Sequence, residues 1–390
     1  MIVALRSASR PKPTCPRVGG MLALAAILVT VSSCRSGGGD TGVYPVERGR
    51  ELTRRLYAGA FDSLPRNIVL DLGGDGDTVL ARWFPGGRRD SLGREWPGGP
   101  AHTVEGLQAG ATFLARLEAV YGREVEMVDE GVYRCYYPLC ELPRSVEYNR
   151  IARFSGYTGN TLTIAWLWAG DSLVGGWIIP SRRTVPSDLE TYHPHTTLRL
   201  PFDGEWTVLW GGPKPHENYH VAVPPLRFAY DFVVDSAGSL HRSDGRNNAD
   251  YYCYGRPILA PAGGRVAMAL DSFAENVPGT SRVRYRGPGN VVSIDHGNGE
   301  FSILAHLRRG SVRVAADQRI EAGDTVGACG NNGESVVPHL HYQLQLDSRP
   351  GSRPVPAPFS DFLAEGERVV RGIPTRGQRL VHAASGGRRD

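Results

Sequence analysis

The sequence predicts two successive folds, a small α+β domain over residues 46–182 and an all-β domain over 198–348. Three observations predict them. Helical spacing of apolar residues is confined to the first part, at 46–66 and 103–122. The stretch 147–180 alternates in the manner of successive strands. Beyond 198, short alternating runs recur between Gly, Pro and Asn turns. A chain of 390 residues has the length for two ordinary domains with tails.

The N-terminus reads as a targeting segment. Through residue 33 it holds Arg6, Arg10, Lys12 and Arg17 and no acid, and the apolar run Met21–Val31 precedes Ser32-Ser33-Cys34. That run is too short to span a bilayer stably, so it suits the core of a signal peptide. Ending in Val-Ser-Ser-Cys, residues 1–33 resemble a bacterial lipoprotein signal. The resemblance implies an exported chain, lipidated at Cys34, anchored to the cell envelope and facing the periplasm. An ordinary secretory signal cut near the same place is the alternative. Residues 34–45, rich in Gly, suit a flexible tether. From residue 34 onward, 40 basic residues meet 40 acidic ones. Such a balance gives no electrostatic case for a nucleic-acid partner.

The first domain opens on Leu52, Leu56, Tyr57 and Phe61 at helical spacing, followed by a second amphipathic stretch over 103–122. Strands separated by turns at Gly156–Gly159 and Gly170-Asp171 come next. Helices first and a strand meander after resemble the nuclear-transport-factor-like α+β cone. Asp71, Asp75 and Asp77 lack the spacing and terminal Glu of a calcium loop, so 71–79 reads as a turn. The segment 183–197, polar and containing prolines, reads as a linker.

In the second domain, strands are expected at 206–210, 227–234, 264–270, 290–295, 301–306, 312–314, 326–328 and 339–346. Between them, 241–252 forms a long polar loop. Residues 349–390 hold few apolar residues and read as an appendage with a disordered tip. In an exported chain the remaining cysteines meet an oxidising compartment. Cys135–Cys140 would close a local loop and Cys253–Cys329 a long staple, with buried free thiols as the alternative.

Seven of the eleven histidines fall in the second domain. His339 and His341 alternate with Leu340 and Tyr342, so as strand residues they emerge side by side on one face. Two imidazoles so placed point to a metal or catalytic site. The stretch His216-Glu217-Asn218-Tyr219-His220 matches H-E-x-x-H, whose chemistry requires a helix that puts both histidines on one face. Prolines 213, 215, 224 and 225 leave room for about two turns at most, so the match is read as chance and Glu217 as a bystander. Asp231, in the middle of an apolar strand, is costly there unless paired or metal-bound. His220, Asp231 and His341 would together supply nitrogen, oxygen and nitrogen to a tetrahedral Zn2+, leaving a fourth position open. His296 sits in a hairpin turn and reads as structural.

Five segments, "WTVLWGG…NYH" leading to "RFAYDF", "GRPILAPAGGRV", "GNVVSIDHGNGEFSILAHL", "RIEAGDTVGACGNNGES" and "PHLHYQL", resemble the lysostaphin-type (LytM-like) zinc endopeptidase family, in family order over 198–348. The resemblance implies His220, Asp231 and His341 as metal ligands and His306 and His339 as catalytic histidines, with their division into base and acid left open. The eleven-residue gap between His220 and Asp231 exceeds the usual four and leaves His216 as the alternative early ligand. The implied function is zinc-dependent hydrolysis of amide bonds in peptidoglycan stem peptides or cross-links. A non-catalytic envelope protein that binds peptidoglycan or activates an amidase is the alternative, and such degenerate relatives typically lose ligands that this chain retains.

Overall fold

The computed structural model describes residues 46–57, 68–71, 81–85, 124–135, 146–155, 161–169, 172–180, 184–279 and 287–383. The signal segment, the tether, Cys34, the helix expected over 103–122 and the Cys135–Cys140 pairing lie outside them or depend on residues outside them. Among the described residues, no helix is long and apolar enough to cross a membrane.

Helix α1 (Val46–Tyr57) precedes a six-stranded antiparallel sheet formed by β1 (Ile68–Asp71), β2 (Ala81–Pro85), β3 (Glu124–Cys135), β4 (Val146–Ser155), β5 (Thr161–Ala169) and β6 (Ser172–Pro180). Its order is β1-β2-β6-β5-β4-β3. On β5, every residue from Leu162 to Trp168 is buried, as a central strand requires. The helix uses its apolar stripe, Leu52 and Leu56, against the interior, and Thr53 Oγ1 accepts the Trp166 indole N–H at 2.8 Å. That bond satisfies a donor which burial would otherwise leave unpaired.

The rest of the chain builds an eleven-stranded sheet from β7 (Trp206–Trp210), β8 (Tyr230–Val233), β10 (Gly264–Leu270), β11 (Val291–Asp295), β12 (Phe301–Ala305), β13 (Arg319–Ile320), β15 (Leu340–Gln345), β16 (Pro354–Val355), β17 (Phe359–Ala364), β18 (Glu367–Gly372) and β19 (Arg379–His382). Its main path runs β13-β10-β11-β12-β15-β8-β7-β19-β17-β18, and β16 pairs with β15. A separate ribbon pairs β9 (Pro257–Leu259) with β14 (Thr325–Ala328). Alternation assigns one sheet face to the core: Tyr230 and Phe232 of β8, Val292 and Ile294 of β11, Leu304 of β12, and Leu340, Tyr342 and Leu344 of β15. Asp231 and His341 therefore belong to the opposite face, where they are direct cross-strand neighbours.

Most expected strands form within a residue or two of their predicted ends. The run 312–314 does not become a strand, although Arg313 N still bonds to Val326 O. Residues 349–390 are more than an appendage, since they supply β16–β19. Phe359 packs on Tyr230 and Tyr342 at ring separations of 5.6 and 5.2 Å, and Ala357 O accepts the Tyr230 hydroxyl. A few large apolar residues suffice there because β19 pairs with β7 and extends a sheet already formed. The linker is likewise fastened. Glu300 accepts from Tyr192 Oη, His195 N and Thr196 N, and Arg227 donates to Val185 O and Glu190. The staple expected between Cys253 and Cys329 is not formed. Both are buried free thiols; Cys253 Sγ donates to Pro338 O at 3.1 Å, and burial pushes the Cys329 thiol well up.

Candidate metal centre

Strand pairing places the first two groups. The β8–β15 register sets His341 opposite Asp231, and β12 pairs with the other edge of β15, with Ala305 opposite His341. His306, the next residue, leaves the strand at φ 62°, a left-handed conformation that costs energy in a residue with a Cβ. His339 immediately precedes β15. Four groups thus reach one face of the sheet from three adjacent strands, β12, β15 and β8, and the turns that end them.

His220 comes from a loop. Between its prolines, the H-E-x-x-H stretch is broken in two: His216 and Glu217 lie in a turn, while Tyr219 and His220 open a short 3₁₀ turn, Tyr219–Ala222, capped by Asn218. The loop folds back tightly on the sheet: a Cβ at Gly211 would lie 2.6 Å from Val208 Cγ1 and 2.8 Å from Tyr230 Cδ1, so glycine is required there. Glu217 turns into its own loop and accepts from Lys214 N. His216 faces Glu217, with Nε2 4.0 Å from Oε1. The two motif histidines do not share a face, and His220 alone joins the cluster.

Asp231 Oδ2 is 3.6 Å from His220 Nε2. Its Oδ1 is 3.0 Å from His341 Nδ1 and 3.5 Å from His339 Nε2. The His220, Asp231 and His341 ligand atoms lie within 4.8 Å of one another, as do those of His306, His339 and His341. All five residues are buried.

Hydrogen bonds fix which ring nitrogen is available on each histidine. Asn218 Oδ1 lies 2.9 Å from His220 Nδ1, while its amide nitrogen donates to Gly212 O and Ala229 O. The oxygen is thereby oriented to the ring, the proton sits on Nδ1, and Nε2 keeps its lone pair. On the far side, Gly351 N donates to Gln345 Oε1, which also accepts from Gln343 Nε2 at 2.7 Å. Gln343 must then offer its oxygen to His341 Nε2 at 3.3 Å. His341 Nδ1 in turn lies 3.0 Å from Asp231 Oδ1, a carboxylate that only accepts, so a proton or a cation belongs between them. His306 Nδ1 donates to Asn332 O and His339 Nδ1 to Val337 O, each at 2.8 Å, leaving Nε2 of both unprotonated.

This arrangement fits a metal cation. His220 Nε2 is fully buried and has no hydrogen-bond partner, so its lone pair is orphaned. His341 Nδ1 and the Asp231 carboxylate, 3.0 Å apart, are a pair that a cation can bridge in place of the proton they share. Two nitrogens and one oxygen form a donor set suited to zinc. Burial pushes His220 down to about 3 and His306 well below its ordinary range, so both stay neutral at physiological pH. Burial opposes charge on Asp231, yet the surrounding histidines hold its carboxyl well below the usual range.

A pH dependence follows. The unfolded chain protonates His220 and His306 near 6.5, whereas the folded, metal-free chain leaves these two neutral to a much lower pH. The unfolded state therefore binds more protons in that window, and stability is lost as pH falls below about 6.5, by roughly 1 kcal/mol per pH unit for each of His220 and His306. Denaturant midpoints of chelator-treated protein between pH 7 and 4.5 check this, and a flat profile contradicts it.

Asn218 and Gln343 are the functional residues that sequence patterns missed. Gln343 was visible as the next residue of the same strand face, but only the amide chain through Gln345 shows its role. No spacing signal marks Asn218. By contrast, His296 is held by Gly263 O and Ser302 Oγ, and Asn290 by Phe273, Leu307 and Asn332, so both are structural.

Glu217→Gln and His216→Ala are expected to leave metal content and any hydrolysis within about twofold of the parent, since neither half-buried side chain reaches the ligands. Loss of turnover at full metal content in Glu217→Gln would restore the helical H-E-x-x-H reading, and loss of metal in His216→Ala would replace His220 as the early ligand.

Residues 247–352 match the model of peptidase family M23. The match takes in His306, His339 and His341 and begins after His220 and Asp231, which the fold brings beside them. Over 96 residues the chain is 34% identical to the DD-carboxypeptidase/endopeptidase Mpg of Neisseria meningitidis serogroup B, covering 25% of this chain and 20% of that protein. Over 62 residues it is 39% identical to the peptidoglycan DD-endopeptidase ShyA of Vibrio cholerae serotype O1, covering 16% of this chain and 14% of that protein. The similarity thus spans a fifth or less of the length of these curated relatives. Among solved structures, the catalytic domain of lysostaphin from Staphylococcus simulans aligns at 21% identity over 32% of this chain and 71% of that one, with a TM-score of 0.23.

Proposed function

From the peptidase family M23 domain that this chain carries over residues 247–352, we propose that it is a zinc-dependent endopeptidase acting on amide bonds in the stem peptides or cross-links of peptidoglycan. One observation carries the reading: a complete ligand set, His220, Asp231 and His341, lies beside two further histidines whose Nε2 atoms are free of protons. The names of the two curated relatives support the substrate.

His220 through Nε2, Asp231 through its carboxylate and His341 through Nδ1 would hold the zinc ion. Bound there, zinc supplies Lewis-acid charge and lowers the pKa of water towards neutrality. His339 Nε2, 3.5 Å from Asp231 Oδ1, lies closest to the ligand set and accepts the proton of the attacking water. Its own Nδ1 proton stays on Val337 O, which keeps the ring oriented through the transfer. That proton then passes to His306 Nε2, across a ring separation of 4.7 Å, and from there to the leaving nitrogen. The rigid Asn332 carbonyl prevents that ring from turning away.

Incubating the protein with isolated peptidoglycan, with and without a chelator, and identifying released fragments by mass tests this. Muropeptides cut at an amide bond, absent with chelator, are expected. Binding without any new product would favour the non-catalytic alternative. We also propose export and lipidation at Cys34. Cys34→Ser is then expected to move the protein out of the membrane fraction, since a lipid chain supplies most of such anchoring; unchanged fractionation contradicts the anchor.

A further inference from the structure

We propose that Glu275 is a positioning residue for His306: its carboxylate ties together the turn that follows this histidine and the turn that supplies its hydrogen-bond acceptor, Asn332 O. The inference rests on the reading that His306 relays a proton to the leaving nitrogen. It concerns a group outside the His220–Asp231–His341 set.

Glu275 lies in the segment that leaves β10, two residues after Phe273 is pinned to Asn290 by bonds in both directions. Its two oxygens accept three N–H groups. Oε1 takes Arg309 N at 2.8 Å and Asn332 Nδ2 at 3.2 Å, and Oε2 takes Asn331 N at 2.7 Å. Arg309 belongs to the turn after His306, whereas Asn331 and Asn332 belong to the turn that leads to His339. All three partners are donors, so a carboxylate suits the place and an amide does not: Gln would set an NH2 against an N–H. Asp271, four residues earlier, bonds to the first turn alone, at Gly310 N and Val312 N.

Asn332 carries the constraint to the ring. It is fully buried, and its backbone O accepts from His306 Nδ1 at 2.8 Å. Its amide nitrogen also donates to Leu307 O, while its Oδ1 accepts from Asn290 N. The side chain is therefore fixed in one orientation, and the carbonyl of the same residue is held with it. His306 needs this support, because its φ of 62° persists only where the surroundings over-determine it. The other oxygen of Glu275 acts on Asn331, whose Oδ1 lies 2.8 Å from Ser335 Oγ, itself 3.2 Å from His339 Nδ1. One carboxylate thus stands behind both rings of the relay, whose centroids are 4.7 Å apart. Proton transfer depends on that spacing, and a misplacement of about 1 Å can cost on the order of a hundredfold in rate.

Proton exchange at the ring tests this without reference to activity. In the full chain, the His306 Nδ1 proton is identified in a 1H–15N correlation of the imidazoles by its absence from His306→Ala. Glu275→Gln is expected to keep a cooperative melt and to speed exchange of that proton with water about fivefold or more, as weakening of one hydrogen bond implies. Asp271→Asn, which loosens the first turn without touching Asn332, should leave exchange within about twofold. On soluble cross-linked muropeptides, Glu275→Gln should lower kcat by about tenfold to a hundredfold at unchanged KM. A better leaving group should restore it, as for His306→Ala, and in the His306→Ala background the change should add less than about twofold. Should Glu275→Gln lose its melt, Glu275→Asp, which keeps the charge and withdraws it by one methylene, takes its place with the same expectations; loss of the melt in both overturns the proposal. Unchanged exchange in the folded Glu275 variant overturns it, as does equal speeding by Asp271→Asn or an additive loss in the His306→Ala background. No product from the parent overturns the proposed peptidase instead, and ring exchange still decides whether Glu275 positions His306.

Discussion

Asp231→Ala is expected to empty the centre of metal and to lower hydrolysis by on the order of 10³-fold or more, as the loss of both a ligand and its Lewis-acid charge requires. Asp231 is the one carboxylate of the ligand set and the partner shared by His220, His339 and His341. Removing it leaves two neutral nitrogens, an incomplete set for a tetrahedral ion. The chain should still fold, because Tyr230 and Phe232, on the opposite face of the same strand, keep their core contacts. Metal content measured after desalting, together with a thermal melt, checks both statements. His341→Ala should behave alike, with some added loss of stability from the gap on β15. Full metal occupancy in Asp231→Ala would sink the ligand assignment, whatever happened to activity.

What could be read in the sequence followed from period and position. Alternation in His339-Leu340-His341-Tyr342 fixes which side chains share a face, and a strand offers no other arrangement, so the histidine pair was legible. Asp231 was legible because an ionised group inside an apolar strand must be compensated. Donor chemistry and the resemblance put His220 in the set, but neither gave a physical reason to prefer it to His216. The structure supplies the physical reason, a capped 3₁₀ turn that buries one ring and leaves the other beside Glu217. The tautomer set was not legible. It depends on Asn218 and on the Gln343–Gln345–Gly351 chain, whose parts meet only after strands pair and turns close.

The strands after residue 350 escaped for a different reason. Their apolar content is low, and periodicity reports a strand only when one of its faces is buried by its own residues. Here the core already existed, and Phe359, Phe362 and Leu380 were enough to dock on it. The cysteines show the opposite error. Compartment logic favoured a bond between Cys253 and Cys329, but it cannot see that Pro338 O offers the Cys253 thiol a hydrogen-bond partner inside the core.

His306→Ala and His339→Ala are expected to retain the bound metal and to lose hydrolysis by about 10²–10⁴-fold each, the usual worth of a positioned proton-transfer group. Neither residue belongs to the His220–Asp231–His341 set, so the ion keeps all its ligands. What each variant loses is an Nε2 lone pair beside that set, aimed by a backbone carbonyl that holds the opposite ring nitrogen. The two losses should differ in kind. Without His339 the attacking water has no base nearby, so kcat should fall whatever the leaving group. Without His306 the leaving nitrogen departs unprotonated, so a substrate with a better leaving group should recover much of the rate while His339→Ala stays slow. The double variant should be little worse than the poorer single one, since the two histidines act in one proton relay. Parent-level turnover in either single variant, at normal metal content, would remove that histidine from the mechanism. Equal recovery of both variants by the better leaving group would show that the roles of base and acid have not been divided between them as the distances from Asp231 imply.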